Sequence, residues 1–451
     1  MIFFIVKKYC LNNSKDFVNC DCYLTNKEVL LAMFAIVQIL FFILMWGYVR
    51  NRNTCLVFLF GLFFISFVLQ FLVGSEIKQD SIITVLNVCF INISIFQIFS
   101  AWGDAKISYV HNGKNGWAFF MKPYLRMVLS FNIILNIVLI IIVYTFMPNI
   151  AELKAAQGYR ELYDSIPFFS TAFRYSYFTQ NLGFIAFPYV FYHLSRNEKK
   201  KSIEYLLYSL SSLLCGFAFY SRAMMVTWVL VLILYYFLVK GAIADTLNRK
   251  IYKYARISIL ILSSLFVIIT VIRFTAMDYY ADRIPKSSLI KDPVLYSLVD
   301  YASCGYPNGL NLMDTYEEQK NLKGEEILQL SYQALAFFGY IKWDADSSLE
   351  KKERSYGDSL VVMFKGYTCN MVYNFGYILT FLIGCLYYFY VRRVLSYKKV
   401  SIENCMILVL LLIIPATAIF YCSYGAIITP AIFLMIFVFV HKILYISLKN
   451  T

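Results

Sequence analysis

Long apolar stretches separated by short polar turns run through most of the chain, and one polar segment, residues 275–366, interrupts them. About 20 apolar residues are enough to cross a bilayer as an α-helix, and these stretches lack the alternation of β-barrel strands. Hydropathy therefore predicts about eleven membrane-spanning helices. The predicted spans are residues 28–49, 54–73, 81–101, 124–147, 177–194, 204–220, 223–240, 257–274, 370–391, 405–421 and 425–446.

The pattern indicates an all-α polytopic membrane protein with one large extracytoplasmic loop that contains short amphipathic helices. It divides the chain into a membrane domain of eight helices over residues 1–274, a loop over 275–369, and a membrane domain of three helices over 370–451. Inside the loop, residues 292–301 and 325–340 carry apolar side chains at helical spacing. The sequence Gly305-Tyr-Pro-Asn-Gly309 predicts a turn between these two helices.

Composition supports a lipid environment. The chain has 451 residues, of which 60% are hydrophobic and only 15% charged, so its charged residues are too few to cover the surface of a soluble protein. Residues 1–6 are apolar but too short for a cleavable signal peptide.

The net charge of +14 reports topology and not a nucleic-acid partner, because the basic residues are concentrated in alternate short loops. Basic loops mark the cytoplasmic side of a bacterial inner membrane, so the polar segment is expected on the periplasmic side. The basic loops carry Arg50 and Arg52; Lys106, Lys114 and Lys122; Arg196, Lys199, Lys200 and Lys201; Arg249, Lys250, Lys253 and Arg256; and Arg392, Arg393, Lys398 and Lys399.

The sequence argues against several kinds of chemistry. The three histidines, His111, His193 and His441, all fall on the predicted cytoplasmic side, so a reaction outside would not use histidine as its base. The chain has no P-loop, no dinucleotide-binding glycine fingerprint and no HExxH or GxSxG motif. Cys20 and Cys22 lack the spacing of a zinc site, and neither a metal nor a cofactor is predicted. A disulfide among the outer cysteines, such as Cys304 and Cys369, is left open.

Arg222 is the strongest single candidate for a functional residue. It lies at the apex of a hairpin between two spans, beside Ser221, where a charge is costly unless it reaches headgroups, water or an anion. A guanidinium group binds diphosphate oxygens as a two-pronged fork. Arg273 ends a span at the same predicted face, and together the two arginines would clamp one diphosphate. The alternative for both is an arginine whose side chain reaches to the membrane interface.

A second outer loop, residues 148–176, contains Arg160 and Arg174 among many aromatic residues. Arginine interleaved with aromatic rings suits phosphates and sugar rings. The same composition also describes an ordinary interfacial aromatic belt.

Two stretches resemble motifs of the Wzy-type O-antigen polymerases, which are relatives of the O-antigen ligases. Tyr220-Ser-Arg222 is similar to a small-residue-plus-arginine motif of that family, and residues 367–376 are similar to its Tyr-Thr…Tyr-x-Asp-Phe-Gly element. In the second stretch Tyr373, Asn374 and Gly376 match by position, but Asn374 replaces a common aspartate, so no proton-transfer role is assigned to it. The number of spans and the late outer loop agree with the same family.

The resemblance implies an inner-membrane glycosyltransferase that polymerises oligosaccharide repeat units linked to undecaprenyl diphosphate, for O-antigen or capsular polysaccharide. The expected catalytic residues are Arg222, which matches the family motif, and Arg273, which is selected by its position at the end of a span; a chain-length regulator and a flippase are the expected partners. The expected substrate-binding residues are Arg160, Arg174, Ser221, Tyr373, Asn374 and Gly376. An O-antigen ligase, another lipid-sugar-dependent transferase, a lipid-linked oligosaccharide flippase and a membrane scaffold remain as alternatives.

Overall fold

The structure is a computed structural model. It describes residues 26–74, 82–104, 106–113, 116–146, 167–219, 221–275, 284–337, 339–342, 345–356, 364–420 and 425–449. The described residues are about 81% helical, in agreement with an all-α membrane protein.

The first half of the chain forms helices that run back and forth through one bundle. They are α1 Asn26–Val49, α2 Thr54–Val73, α3 Ile82–Ser100, α4 Trp117–Phe146, α5 Pro167–Thr179, the 3-10 helix Leu182–Ile185, α6 Ala186–Ser195, α7 Lys199–Ala218, α8 Arg222–Val239, the 3-10 helix Lys240–Ala242 and α9 Asp245–Thr275. A short strand, β1, spans Tyr109–His111.

The second half contains the helices of the large loop and the last helices of the bundle. They are α10 Pro293–Ser303, α11 Gly305–Asp314, the 3-10 helix Glu318–Lys320, α12 Gln329–Phe337, α13 Ala345–Tyr356, α14 Gly366–Leu395, α15 Ile402–Thr417 and α16 Gly425–Lys449. A second short strand, β2, spans Lys399–Ser401.

Among the described residues, six helices are long and apolar enough to cross a membrane, so the predicted count of eleven is not confirmed. The six segments are Ala32–Val49, Thr54–Val73, Ile82–Ser100, Trp117–Ile142, Ala223–Ala242 and Gly366–Leu395. Two shorter apolar helical segments follow in α15 and α16. The predicted span 177–194 is not one helix, because the 3-10 turn Leu182–Ile185 separates α5 from α6.

The basic loops meet at one end of the bundle. Strands β1 and β2, which lie in two of these loops, pair in parallel, with Val110 opposite Val400. Lys240 donates a hydrogen bond of 2.8 Å to Thr54 Oγ1 at the start of α2. Asp104 accepts hydrogen bonds from both Arg52 and Arg392. The large loop contacts the other end of α2, where the Leu289 amide donates to the Leu72 carbonyl at 2.9 Å.

The predicted turn at Gly305 and Gly309 is wrong, because these residues form the first turns of α11. The two glycines lie four residues apart and therefore on one helix face, where backbone from other elements packs against them. A Cβ on Gly305 would come within 2.1 Å of the Ile419 carbonyl oxygen, and one on Gly309 within 2.4 Å of the Lys365 carbonyl oxygen. Pro307 is tolerated because it lies in the first turn.

Helix α11 is inserted among the bundle helices and is not a surface loop. Its Tyr306 hydroxyl donates to Gln38 of α1 at 3.2 Å, and its ring packs edge-on against Phe63 and Phe67 of α2. The predicted loop helix at 292–301 corresponds to α10, and the one at 325–340 corresponds to turns followed by α12. Cys304 and Cys369 are both buried free thiols, so the structure has no disulfide between them.

Candidate functional site

The hairpin between α7 and α8 carries the sharpest candidate from the sequence. Arg222 is the first residue of α8, and the half-buried Ser221 before it makes no side-chain capping hydrogen bond. The first-turn amides of a helix point outward as donors, and the positive end of the helix dipole disfavours a cation there. A cation at this position is therefore stabilised best by an anion bound at the same helix end.

Helix α5 brings a second candidate arginine to this hairpin. Arg174 lies within α5, and not in a loop as the sequence predicted. Its neighbour Phe173 packs its ring against the ring of Phe219 in the hairpin, and Tyr177, one turn later, packs against Phe219 as well. Leu139, Cys215 and Ala218 complete this apolar cluster. The structure thus packs α5, which carries Arg174, against the hairpin that leads to Arg222.

Arg273 and Arg160 are placed differently. Arg273 lies in the last turn of α9, where the negative end of the helix dipole favours a cation without any ligand. Helix α9 packs against α10 of the large loop. Arg160 lies outside the described residues. Of the four candidate arginines, Arg222 is therefore the one whose helix position calls for an anion.

Gly376 interrupts α14. Its backbone angles, φ 74° and ψ 174°, belong to a region that is almost restricted to glycine. Just before this break, the carbonyl of Tyr373 accepts a 2.7 Å hydrogen bond from the Leu322 amide, and the carbonyl of Asn374 accepts one of 2.8 Å from the Gly324 amide. The glycine of the predicted motif thus marks the point where the large loop is attached to α14.

Asn374 is completely buried and binds a carboxylate of the loop. Its Nδ2 lies 3.2 Å from Glu326 Oε2 and 2.9 Å from Asn370 Oδ1. Tyr373 is buried beside it and donates its hydroxyl to the Leu312 carbonyl at 2.9 Å. An amide suits position 374 because it can donate to Glu326, whereas an ionised aspartate could only accept. The asparagine at position 374, where the resembling motif commonly has an aspartate, therefore has a hydrogen-bond partner in Glu326.

Glu326 is the centre of a polar cluster that the sequence reasoning missed. Lys365 Nζ lies 2.9 Å from Glu326 Oε1 and 3.6 Å from the centre of the Tyr356 ring, and the Tyr356 hydroxyl donates to Glu326 Oε2 at 2.6 Å. The side chain of Lys365 is only 2% exposed and that of Glu326 19%. A buried pair of this kind is stable only when its remaining hydrogen bonds are made, as they are by Tyr356 and Asn374.

Burial and pairing oppose each other in this cluster. Burial raises the pKa of Glu326, but the Lys365 charge and the hydrogen bonds from Tyr356 and Lys365 outweigh it, so the pKa lies below its ordinary value. Burial lowers the pKa of Lys365, and the attraction of Glu326 only partly restores it. Burial, followed by the neighbouring Glu326 charge, raises the pKa of Tyr356 well above its ordinary value. Pairing with Lys365 thus favours the carboxylate form of Glu326, and burial favours the neutral form of Tyr356.

A signal for this cluster was present in the sequence. Glu325 and Glu326 form an acidic doublet in a chain with few charges, and lysines follow within 40 residues. The structure pairs both acids, since Lys351 Nζ lies 2.8 Å from Glu325 Oε2. The described part of the chain has no group of three or more histidine, cysteine or acidic side chains that could hold a metal ion. No family model, curated protein sequence or solved structure matches the chain.

Proposed function

We propose that the protein is a membrane glycosyltransferase that polymerises oligosaccharide repeat units linked to undecaprenyl diphosphate. The observation that carries the proposal is Arg222 at the N-terminus of α8. This position joins outward-pointing amide donors and a guanidinium group, which together fit a diphosphate.

The arrangement of the hairpin supports the proposal in two further ways. The hairpin lies at the end of the bundle opposite to the basic loops, because α8 ends beside one of them, where the Ile107 amide donates to the Leu238 carbonyl at 3.0 Å. This is also the end at which the large loop contacts α2. Tyr177, which packs against Phe219 and is 61% exposed, then gives the lipid-linked substrate an apolar ring face near the proposed diphosphate site.

The proposed reaction needs neither a nucleotide nor a metal. A hydroxyl of the incoming repeat unit attacks the anomeric carbon of the growing chain, the bond from that carbon to the diphosphate oxygen breaks, and the hydroxyl proton is released. Undecaprenyl diphosphate leaves with the electron pair. Arg222 and the first amides of α8 would stabilise the negative charge that develops on the leaving group.

The decisive experiment compares Arg222→Lys with the unaltered protein, reconstituted with lipid-diphosphate-linked repeat units. The lysine ammonium group cannot bind two diphosphate oxygens side by side as the arginine guanidinium group does, so polymer formation should fall by something on the order of 100-fold. Arg393→Lys, at the opposite end of the bundle, is the matched control and should polymerise normally. Normal polymer length from a well-folded Arg222→Lys variant would leave Arg222 as an interfacial arginine and remove the main support for the proposal.

Deletion of the gene separates polymerase from ligase. Loss of a polymerase leaves single repeat units attached to the final acceptor, whereas loss of a ligase leaves long chains on the lipid carrier. Analysis of the lipid-linked and transferred glycans by gel electrophoresis distinguishes these two outcomes.

A flippase is the second candidate, because the helical segment 167–195 is interrupted within the bundle. The 3-10 turn Leu182–Ile185 separates α5 from α6, and polar side chains meet near it. Thr179 Oγ1 donates to Asn132 Oδ1 at 3.2 Å, and Ser176 donates to Asn136. Broken helices with polar residues are typical of transporters. If the flippase reading holds, deletion should stop repeat units from reaching the outer leaflet at all.

A further inference from the structure

A groove opens on the side of the bundle where α3, α11 and α14 meet. It encloses about 390 Å³, which lies within the range of small-molecule sites, roughly 300–1,000 Å³. Two of its rim residues, Ile83 and Leu86, are 52% and 62% exposed on the outer surface of the bundle. The lining residues are Ile83, Leu86, Asn87, Phe90, Met313, Asp314, Tyr316 and Tyr377.

The floor of the groove is polar and organised around Asp314. Thr84 Oγ1 donates to Asp314 Oδ2 at 2.7 Å, and Asn87 Nδ2 donates to Asp314 Oδ1 at 2.7 Å. The Tyr377 hydroxyl in turn donates to Asn87 Oδ1 at 2.7 Å. This chain of bonds fixes the orientation of the Asn87 amide and keeps both carboxylate oxygens as acceptors.

The wall of the groove is aromatic. The ring of Tyr377 packs edge-on against Phe90 and Tyr316, with ring centres 5.0 Å and 5.7 Å apart. Aromatic rings of this kind offer a flat apolar face together with a polar edge. A ligand that fits must therefore present apolar C–H faces to the rings and hydrogen-bond donors to the floor.

The charge of the groove decides between ligands. Among the residues that the structure describes, its lining includes a carboxylate and no lysine or arginine, and an ionised carboxylate only accepts hydrogen bonds. A diphosphate or a phospholipid phosphate would be repelled, whereas the hydroxyl groups of a sugar can donate. Ile83 and Leu86 flank the groove on the exposed side of a helix that is long and apolar enough to cross a membrane, so a sugar with an alkyl chain can enter from the side.

We propose that this groove binds a sugar residue of a lipid-linked glycan, with Asp314 accepting hydroxyl hydrogen bonds and Tyr377 packing against the sugar ring. The identification of that glycan as an incoming repeat unit rests on the proposed polymerase function, but sugar binding does not. The bundle would then separate its ligands by charge, with diphosphate held at Arg222 and sugar hydroxyls at Asp314.

The test uses photoreactive alkyl β-glycosides of glucose, galactose and N-acetylglucosamine, each with a diazirine in the alkyl chain. The full-length protein is placed in phosphatidylcholine nanodiscs and irradiated, and labelled peptides are mapped by mass spectrometry. At least one probe should label residues 82–90 or 313–316. Excess octyl glycoside of the same sugar should compete at least about tenfold better than octyl phosphocholine, because only the glycoside donates to a carboxylate.

Variants assign the labelling to the groove floor. Asp314→Asn should lower it about tenfold or more, since a hydrogen bond to a charged group is lost. Tyr377→Phe leaves the aspartate in place and should lower it by a smaller factor. Glu350→Gln, an exposed loop acid, and Tyr390→Phe, on the outer surface of α14, are the matched controls and should leave it unchanged.

Two results would overturn the groove proposal: absence of groove labelling with all three probes, or equal competition by octyl phosphocholine, which would make the groove a phospholipid site. These outcomes are independent of the Arg222 test. Sugar-specific labelling without polymer formation would support the groove proposal and contradict the polymerase proposal. Polymer formation without labelling would support the polymerase proposal and contradict the groove proposal.

Discussion

Two candidate arginines at the same predicted face lie at opposite ends of their helices and therefore in opposite electrostatic environments. Arg222 begins α8 and Arg273 lies in the last turn of α9. A helix dipole disfavours a cation at its first residue and favours one in its last turn, by about 0.3–1 kcal/mol in each case. The helix dipole thus opposes the charge of Arg222 and favours that of Arg273.

This difference gives a prediction that does not depend on any substrate. Arg222→Gln should leave the free energy of unfolding unchanged or raise it by about 0.3–1 kcal/mol, and Arg273→Gln should lower it by a similar amount. Thermal unfolding of both purified variants at low salt measures the effect. A clear loss of stability in Arg222→Gln would mean that the chain itself already supplies a partner for the guanidinium group.

Gly376 permits a second residue-scale prediction. A Cβ at this position has room, because its nearest neighbours, Asn321 Nδ2 and the Tyr316 hydroxyl, are both 3.8 Å away. Only the backbone opposes a side chain here, so Gly376→Ala should destabilise the protein by about 1–3 kcal/mol. Gly61→Ala, in a helix with nothing within 4 Å, is the control and should have little effect. Equal melting temperatures for both variants would show that α14 is not held in the broken form.

At the element scale, the middle of the large loop is held at the start of α14 by an ion pair with Lys365, the residue before that helix, and by backbone hydrogen bonds to α14. Lys365→Met leaves Glu326 with its other donors but without a counter-charge. The cost should be toward the lower end of the roughly 3–5 kcal/mol typical of breaking a buried pair, because Glu326 keeps 19% exposure. The double variant Glu326→Gln/Lys365→Met should recover much of this loss. If the double variant is no more stable than Lys365→Met alone, Glu326 and Lys365 do not act as one pair.

The same pair sets the direction of a pH dependence. The folded pKa of Glu326 lies below its ordinary value, so its stabilisation is complete above the ordinary glutamate pKa and is lost as pH falls through the folded value. The folded pKa of Lys365 also lies below its ordinary value, so the contribution of this group to stability rises with pH between the folded and the ordinary value. Unfolding measured across pH should therefore show the Lys365→Met effect shrinking as pH falls through the folded pKa of Glu326, with no matching decline on the alkaline side.

Some elements could be predicted from the sequence and others could not, for physical reasons. Hydropathy locates helices such as α2 and α3 because burial in lipid requires only a long apolar stretch. The turn assigned to Gly305 and Gly309 failed because the same two residues suit a turn and a closely packed helix face, and only the neighbouring backbone decides. The break before α6 has no proline or glycine signal strong enough to distinguish it from a continuous span.

The candidate site shows the same limit. The motif around Asn374 could be selected from the sequence, but its contact with Glu326 joins residues 48 positions apart, and no local pattern encodes that distance. Arg222 could be placed at a helix start because the hairpin is short. Its approach to the helix of Arg174 depends on Phe173 and Phe219, which in the sequence are two among many aromatic residues.

At the scale of the whole molecule, the segregation of charge predicts which end of the bundle faces the cytoplasm. The basic loops meet at one end through β1, β2 and Asp104, and the large loop covers the other end. Positive loops remain on the cytoplasmic side, so the end that carries the large loop should face outward. The proposed function requires this orientation, because its substrates are used on the outer leaflet.

Single cysteines test the orientation in intact cells. In a variant without its native cysteines, Lys250→Cys and Lys199→Cys should resist a membrane-impermeant maleimide until the cells are opened, whereas Lys320→Cys in the large loop should be labelled at once. All three positions are outside the apolar parts of the helices, so access to solvent does not differ for reasons of burial in lipid. Reporter fusions after Lys250 and at Gly324 should show the same opposite signs. Labelling of Lys250→Cys but not Lys320→Cys in intact cells would place Arg222 and the groove at Asp314 on the cytoplasmic side, and the polymerase proposal would then fail.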